Sequence, residues 1–295
     1  MSKLKEYPLG RIFNSFSGGR SSGRMTKFLI DNYSDTHEIV HVFANTGQEH
    51  ESTLEFVDRC DRAWDMNLVW VESKVDPIKG NGTRFTRVNY KTACRDGRLF
   101  DEMCSKYGVP NKAFSFCTRE LKLAPMTSYM RHIGWKNRTY HTSIGLRSDE
   151  MDRISEHFIR EKYIYPLIDT GETKQTVNDW WAKQAFDLQI KGDHWGNCTW
   201  CWKKSLRKHF ALIREDPSIF AVPRELEKKY GRVAQREGHN GSRVFFRKNM
   251  STERLFELSQ EQLDMFWTME LDESFGCEES CEPIGTDKSI IESNL

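Results

Sequence analysis

Short apolar runs alternate with amphipathic helical runs through the first quarter of the chain. "RIFNSFS" precedes "SSGRMTKFLIDNY". "HEIVHVFANTG" precedes "EHESTLEFVDRCDRAWD", and "NLVWVES" follows. Apolar runs of strand length separated by helices of 3.6-residue period bury themselves best as a parallel sheet covered on both faces. The expected fold class is therefore α/β, a twisted and mostly parallel sheet with helices on both faces. In such sheets ligands collect at the carboxyl ends of the strands, and "SGGRSS" and "NTGQEHE" both fall there.

The rest of the chain is less regular. "DPIKGNGTRFTRVNYKT" reads as a loop and "GRLFDEMCSKYG" as a helix. "FSFCTRELKLAPMTSYMRHIG" reads as a loop entering a helix, and "RTYHTSIGLRSDEMDRI" as a strand ending in a polar turn. "YIYPLIDTGETKQTVNDWWAKQAF" is an extended piece followed by a helix, with Thr173 or Thr176 as the N-cap. A soft boundary near residues 165–172 divides an α/β domain, 1–170, from a helical, cysteine-bearing and basic extension, 171–295.

The loop Ser17-Gly18-Gly19-Arg20-Ser21-Ser22 joins the first strand to the first helix. Such a loop exposes backbone N–H groups and the positive end of a helix dipole. Its serines add donors and its arginines, Arg20 and Arg24, add charge, a combination suited to phosphate. It is neither a Walker A loop nor G-x-G-x-x-G, and on its own it reads equally as an ordinary glycine-rich turn.

Read together, the motifs carry a resemblance. "SFSGGRSS" resembles the PP-loop of the adenine-nucleotide α-hydrolase superfamily. "VFANTGQEHESTLEFV" is similar to the second signature of the phosphoadenosine phosphosulfate (PAPS) reductase family. "FCTRELKLAPM", "IGLRSDEMDRI" and "YPLIDTGETKQTVNDWW" resemble that family's later segments, in the same order, over about residues 12–205. "GNCTWCWKKS" and "FGCEESCEPIG" further resemble the NinC-type proteins of lambdoid phages.

The resemblance implies that Ser17, Gly18, Gly19, Ser21 and Ser22 cradle the phosphates of ATP or another adenylyl nucleotide, with Mg²⁺ as a compatible counter-ion. Asn45, Thr46, Gly47 and Glu49 are implied to line the same cleft. Arg147 and Arg153 match the family's anion-binding arginines, with Glu150 orienting one of them; Glu150 and Arg153 read equally as a surface i,i+3 pair. Arg20 stands where many PP-loop enzymes carry Asp, and a guanidinium there is expected to contact phosphate directly. The E-C-G-x-H segment of true PAPS reductases is absent.

Cys198-x-x-Cys201 has metal-ligand spacing and suits zinc, an iron–sulfur cluster or redox chemistry. Cys117 lies 81 residues earlier, and "CEESC" adds Cys277 and Cys281. The related adenylylsulfate reductases hold a [4Fe–4S] cluster with comparably spaced cysteines. That resemblance implies a cluster on Cys117, Cys198, Cys201 and one of Cys277 or Cys281, with Zn²⁺ as the alternative. His194 and His209 flank the C-x-x-C and could replace a thiolate. Cys60, Cys94 and Cys104 read as buried small residues.

Net charge is only +1, but it is unevenly distributed. Residues 202–214 hold five Lys/Arg and no acid; residues 224–254 hold nine Lys/Arg against four Glu; residues 270–295 hold eight acids and one lysine. A basic region before an acidic tail is compatible with a nucleic-acid partner and equally with solvated helix faces. Trp200, Trp202, Phe245 and Phe246 sit among these basic residues, placed either to stack bases or to anchor a core. Trp180 and Trp181 read as helix packing. No run approaches the roughly 18 apolar residues of a membrane span, and "MSKLKEYPLG" lacks the apolar stretch of a signal peptide. A reducing cytoplasm is the expected location.

Three functions follow as expectations. The first is an enzyme that uses ATP to adenylate an acceptor, nucleic acid among the candidates, for attack by a sulfur donor. The second is sulfonucleotide reduction with a thiol reductant. The third is a nucleotide-sensing, nucleic-acid-binding accessory protein without turnover.

Overall fold

The computed structural model describes residues 5–234 and 241–265. The βα alternation is realised as β1 (Arg11–Phe16), α1 (Arg20–Tyr33), β2 (Glu38–Ala44), α2 (Glu51–Trp64) and β3 (Val69–Lys74). Then come β4 (Arg84–Val88), α3 (Arg98–Tyr107), a π-helix at Cys117–Leu123, α4 (Ala124–His132) and β5 (His141–Ser143). A 3₁₀ turn at Ser148–Arg153 leads to α5 (Phe158–Glu161), β6 (Tyr163–Ile164), α6 (Pro166–Asp169) and α7 (Lys174–Trp181). The chain continues with α8 (Leu206–Glu215), α9 (Ala221–Tyr230) and α10 (Thr252–Met265).

The six strands form one sheet in the order β4-β3-β2-β1-β5-β6. Every neighbouring pair is parallel except β3 with β4. Alternation along the strands builds two cores. Ile12, Phe16, Phe43 and Trp70 face one side, where they meet Met25 and Leu29 of α1 and Leu54, Phe56 and Val57 of α2. Phe13, Val42, Val69 and Val71 face the other, against Met126, Tyr129 and Met130 of α4. The sheet is thus covered on both faces, as the apolar runs require.

Two segments depart from the sequence reading. Residues 76–92, expected as a loop, contain β4, which pairs antiparallel with β3 from Lys74↔Arg84 to Trp70↔Val88. β4 is an edge strand with polar, largely exposed residues, so it lacks the apolar signature of a central strand. "CTRELKL", expected as the entry to a helix, is itself a π-helix running directly into α4. Thr173 is the N-cap of α7, and it exchanges side-chain and backbone hydrogen bonds with Thr176.

A third core lies apart from the two that cover the sheet faces. It joins Leu99, Phe100 and Met103 of α3 to Trp195, Trp200, Trp202, Leu212, Phe220, Leu226, Phe245, Phe246 and Leu255. Trp200, Trp202, Phe245 and Phe246 are therefore core anchors, with their rings buried and closed to stacking by a base. No helix among the described residues is long and apolar enough to cross a membrane.

Candidate functional site

The glycine loop leaves the buried end of β1 and turns into α1. Ser17 donates its backbone N–H to the Ser22 hydroxyl at 2.9 Å. Gly18 adopts φ +81°, and a Cβ there would lie 2.8 Å from Val57 Cγ2 and 3.0 Å from Thr53 Cγ2 of α2. Both the left-handed backbone and the close approach of α2 require glycine. Gly19 is the N-cap of α1; it supplies no side-chain cap, and the first turn contains no acidic residue. The helix start therefore presents N–H groups and a positive dipole end at the carboxyl edge of the sheet.

Arg147, fully buried past the end of β5, reaches this loop from the side. Its Nη1 donates to Ser21 Oγ at 3.0 Å. Its Nε and Nη2 donate to the two carboxylate oxygens of Asp149, at 3.0 and 3.3 Å. Glu150 Oε2 accepts from the Arg147 backbone N–H at 3.3 Å and lies 3.4 Å from Nη1. Glu150 also pairs with Arg153. Burial works against ionised Asp149, but the Arg147 hydrogen bonds and charge outweigh it and hold the carboxyl below its ordinary value. The structure thus assembles Ser21, Ser22, Arg147, Glu150 and Arg153 around one corner.

Arg20 does not point the way the sequence suggested. Its fork pairs with Asp187, Nε to Oδ1 at 2.8 Å and Nη2 to Oδ2 at 2.9 Å, and Nη2 also donates to the Leu188 carbonyl at 3.1 Å. Arg24, one turn on, pairs with Glu172 at 2.6 Å and stacks on Trp180.

The loop after β2 sits beside the glycine loop, since β1 and β2 run parallel with Phe16 opposite Phe43 and a Cβ on Gly18 would reach both Phe43 and α2. Asn45 is fully buried and donates to Glu72 Oε1 at 2.6 Å and to the Cys94 carbonyl at 2.9 Å, while its Oδ1 accepts from Gly47 N–H at 3.1 Å. The Glu49 carboxylate folds back to accept from the Thr46 N–H at 3.0 Å and the Thr46 hydroxyl at 2.7 Å. Onto this loop the C-x-x-C segment is strapped. Glu49 and Cys198 form an antiparallel bridge, and Thr199 N–H donates to the Gln48 carbonyl at 2.8 Å. Trp200 Nε1–H donates to Gln48 Oε1 at 2.6 Å. Cys198 Sγ consequently lies 3.1 Å from Thr46 Oγ1 and 3.8 Å from Glu49 Oε1.

Two relatives match at the sequence level. The nin region protein ORF290 of Escherichia phage lambda is 32% identical over 284 residues, which span 92% of this chain and 94% of that protein. This chain belongs to the lambda nin-region protein family. The protein MJ0973 of Methanocaldococcus jannaschii is 28% identical over 248 residues, 78% of this chain and 50% of that longer protein. No protein-family profile matches the chain. Neither relative's name states an activity.

Its remaining cysteines divide by place. Cys201 is buried, and Cys117 opens the π-helix at intermediate exposure. Cys277 and Cys281 lie outside the described residues. Among the described residues, no three His, Cys, Asp or Glu side chains are grouped to hold a metal ion. His194 bonds Glu215 at 2.8 Å, while His209 is buried between Phe220 and Phe246 with no hydrogen-bond partner for either ring nitrogen.

Several residues at the site were missed in the sequence. Cys94, read as a core residue, has its Sγ 3.2 Å from where a Gly47 Cβ would be and donates to Asp96 at 2.8 Å. Burial, then the Asp96 hydrogen bond, push its thiol up. Asp149 lies within "IGLRSDEMDRI" and was passed over beside Arg147 and Glu150, while Asp187 and Glu72 have no motif around them. Their only sequence signal is an acidic residue near an apolar run, which is too common to single them out.

Proposed function

We propose that this protein is a PP-loop enzyme of PAPS-reductase type, which binds ATP or another adenylyl nucleotide at the carboxyl ends of β1 and β2 and activates an acceptor for sulfur transfer. The observation that carries this reading is the 3.1 Å approach of Cys198 Sγ to Thr46 Oγ1. It puts a C-x-x-C thiol at the loop beside the glycine loop, although 152 residues separate the two in sequence.

On this reading the backbone N–H groups at the start of α1 and the hydroxyls of Ser17, Ser21 and Ser22 bind phosphate. Gly18 and Gly19 let the backbone approach, and Asn45 and Gly47 shape the neighbouring wall. An acceptor oxygen attacks the α-phosphorus; the bond to the bridging oxygen breaks, and pyrophosphate leaves. Arg147, dry and aimed at Ser21, stabilises the charge gathering on the phosphate oxygens. Glu150 and Asp149 fix its orientation, and Arg153 balances Glu150. A hydrosulfide sulfur then attacks the adenylated carbon, the C–S bond forms as the C–O bond breaks, and AMP departs. A sulfur donor is thus a required partner, and nucleic acid is one candidate acceptor.

A metal belongs to this reading as a separate element. Cys117, Cys198 and Cys201, completed by Cys277 or Cys281, would supply thiolates suited to [4Fe–4S] or Zn²⁺. The described residues alone do not complete such a set. Iron, sulfide and zinc analysis of protein purified without oxygen tests it.

The reading is tested by calorimetric ATP titration together with a pyrophosphate-release assay. Native protein is expected to bind ATP, and Ser22→Ala and Arg147→Lys to bind it at least tenfold more weakly. No binding by native protein overturns the reading. Binding without pyrophosphate release in the presence of nucleic acid and a sulfide donor would favour the accessory-protein alternative.

A further inference from the structure

Both arginines that the glycine loop offers to an anion are held by carboxylates of one later segment. Arg24 is held by Glu172 and Arg20 by Asp187. The Arg20 contact is a two-pronged fork with a third bond to the Leu188 carbonyl, and both side chains are about three-quarters buried, 21% and 28% exposed. Asp187 is itself held by the Leu188 N–H at 2.6 Å. The same segment grips the Arg20 backbone, since Trp181 Nε1–H donates to the Arg20 carbonyl at 2.8 Å. A Cβ on Gly23 would fall 2.6 Å from the Trp181 ring, so the indole lies directly on α1. This geometry fixes the Arg20 guanidinium on the flank of α1 and cancels its charge there.

We infer that Asp187 is a specificity-determining positioning residue: by neutralising and holding Arg20, it keeps an extra cation off the phosphate seat and so keeps the seat weak for pyrophosphate. This inference rests on the nucleotide reading above. Its chemical reason is turnover. A seat of N–H groups, hydroxyls and one carboxylate-paired arginine, Arg147, binds a phosphate chain through dipoles and hydrogen bonds. A freed second guanidinium would grip the departing pyrophosphate as tightly as it gripped the triphosphate, which lowers KM without raising kcat and retards release.

The experiment measures the Kd of inorganic pyrophosphate and of ATP at two salt concentrations, with kcat and KM for pyrophosphate release. Four forms are compared with native protein: Asp187→Asn, Asp187→Glu, Arg20→Met and the double variant Asp187→Asn/Arg20→Met. Asp187→Asn is expected to tighten pyrophosphate at least fivefold, to steepen the salt dependence, and to lower kcat and KM together. Asp187→Glu, which keeps the ion pair, and Arg20→Met are expected to stay within about twofold of native, a change of about 0.4 kcal/mol. The double variant should return to the native Kd, because the gain requires the freed guanidinium. A tenfold loss of pyrophosphate affinity in Arg20→Met would make Arg20 a direct ligand and overturn the inference while leaving nucleotide binding intact. An unchanged Kd and salt slope in Asp187→Asn would also overturn it. If native protein binds neither ATP nor pyrophosphate, both readings fall.

Discussion

The Arg147 guanidinium meets the Ser21 hydroxyl at 3.0 Å across 126 residues of sequence. This contact ties the 3₁₀ turn after β5 to the first turn of α1. It is made by an arginine with no exposed surface whose remaining donors face Asp149 and Glu150. Fold stability and the proposed phosphate seat therefore meet at one side chain.

Removing the guanidinium leaves Glu150, 4% exposed, with the part-exposed Arg153 still paired to it, and takes the donor from Ser21 and Asp149. Arg147→Ala is expected to cost about 3 kcal/mol in urea unfolding. Ser21→Ala removes one acceptor and is expected to cost about 1 kcal/mol. Equal costs for the two would show that the carboxylates, and not the guanidinium, hold the turn.

Two left-handed glycines separate backbone strain from crowding. Gly10 has φ +63° with nothing within 4 Å of a Cβ, whereas Gly18 has φ +81° with Val57 at 2.8 Å. Gly10→Ala should cost about 1–2 kcal/mol, the price of the conformation. Gly18→Ala should cost about 1–3 kcal/mol more, because α2 must also shift, and it should weaken ATP binding. Matching unfolding midpoints for the two variants would contradict the close approach of α2.

Two histidines make stability depend on acid. Burial pushes His41 down to about 4, and burial, with help from the charges of Lys204 and Arg247, pushes His209 down to about 3. Both folded values lie below the ordinary 6.5. The unfolded chain therefore takes up these protons first, so stability is complete above about pH 6.5 and falls as the pH drops towards 4. Each histidine contributes a slope of up to about 1.4 kcal/mol per pH unit. His209→Phe, placed beside Phe220 and Phe246, should remove one such slope. The free-energy difference between native and variant, from denaturant titrations at pH 7, 6, 5 and 4.5, should change steadily; a constant difference would refute it.

Thiol reactivity should follow burial. Burial pushes the thiols of Cys60 and Cys104 well up, and both have no exposed surface. Cys94, Cys198 and Cys201 are at most 8% exposed, while Cys117 is more open. Iodoacetamide at pH 8 should therefore label Cys117 first among these six, and Cys60 and Cys104 only after unfolding. Peptide mass spectrometry over a labelling time course reads the order. Early labelling of Cys198 would mean that the strap on Gln48 opens readily.

Much of the fold was legible because its signals are local. The short apolar runs of β1, β2 and β3, the amphipathic α1 and α2, and the Thr173 cap all lie within stretches of a few to about fifteen residues. β4 was not legible, since an edge strand with Arg84, Thr86 and Arg87 turned outward looks like a loop until β3 is beside it. The role of the buried aromatics was open for the same reason. Trp200 and Phe245 touch each other, at 5.0 Å between rings, through a core that no window of sequence contains.

By itself the sequence determined the alternation that makes a parallel sheet, and the chemistry of its loops: glycines, serines and a C-x-x-C. These follow from backbone sterics and side-chain period, which act between near neighbours. Only the tertiary structure decided which charges meet. Arg20 turns to Asp187 and Arg147 to Ser21, and Cys198 comes to rest on Thr46. A buried charge or thiol takes whatever partner folding brings within about 3–4 Å, and that partner lies more than a hundred residues away.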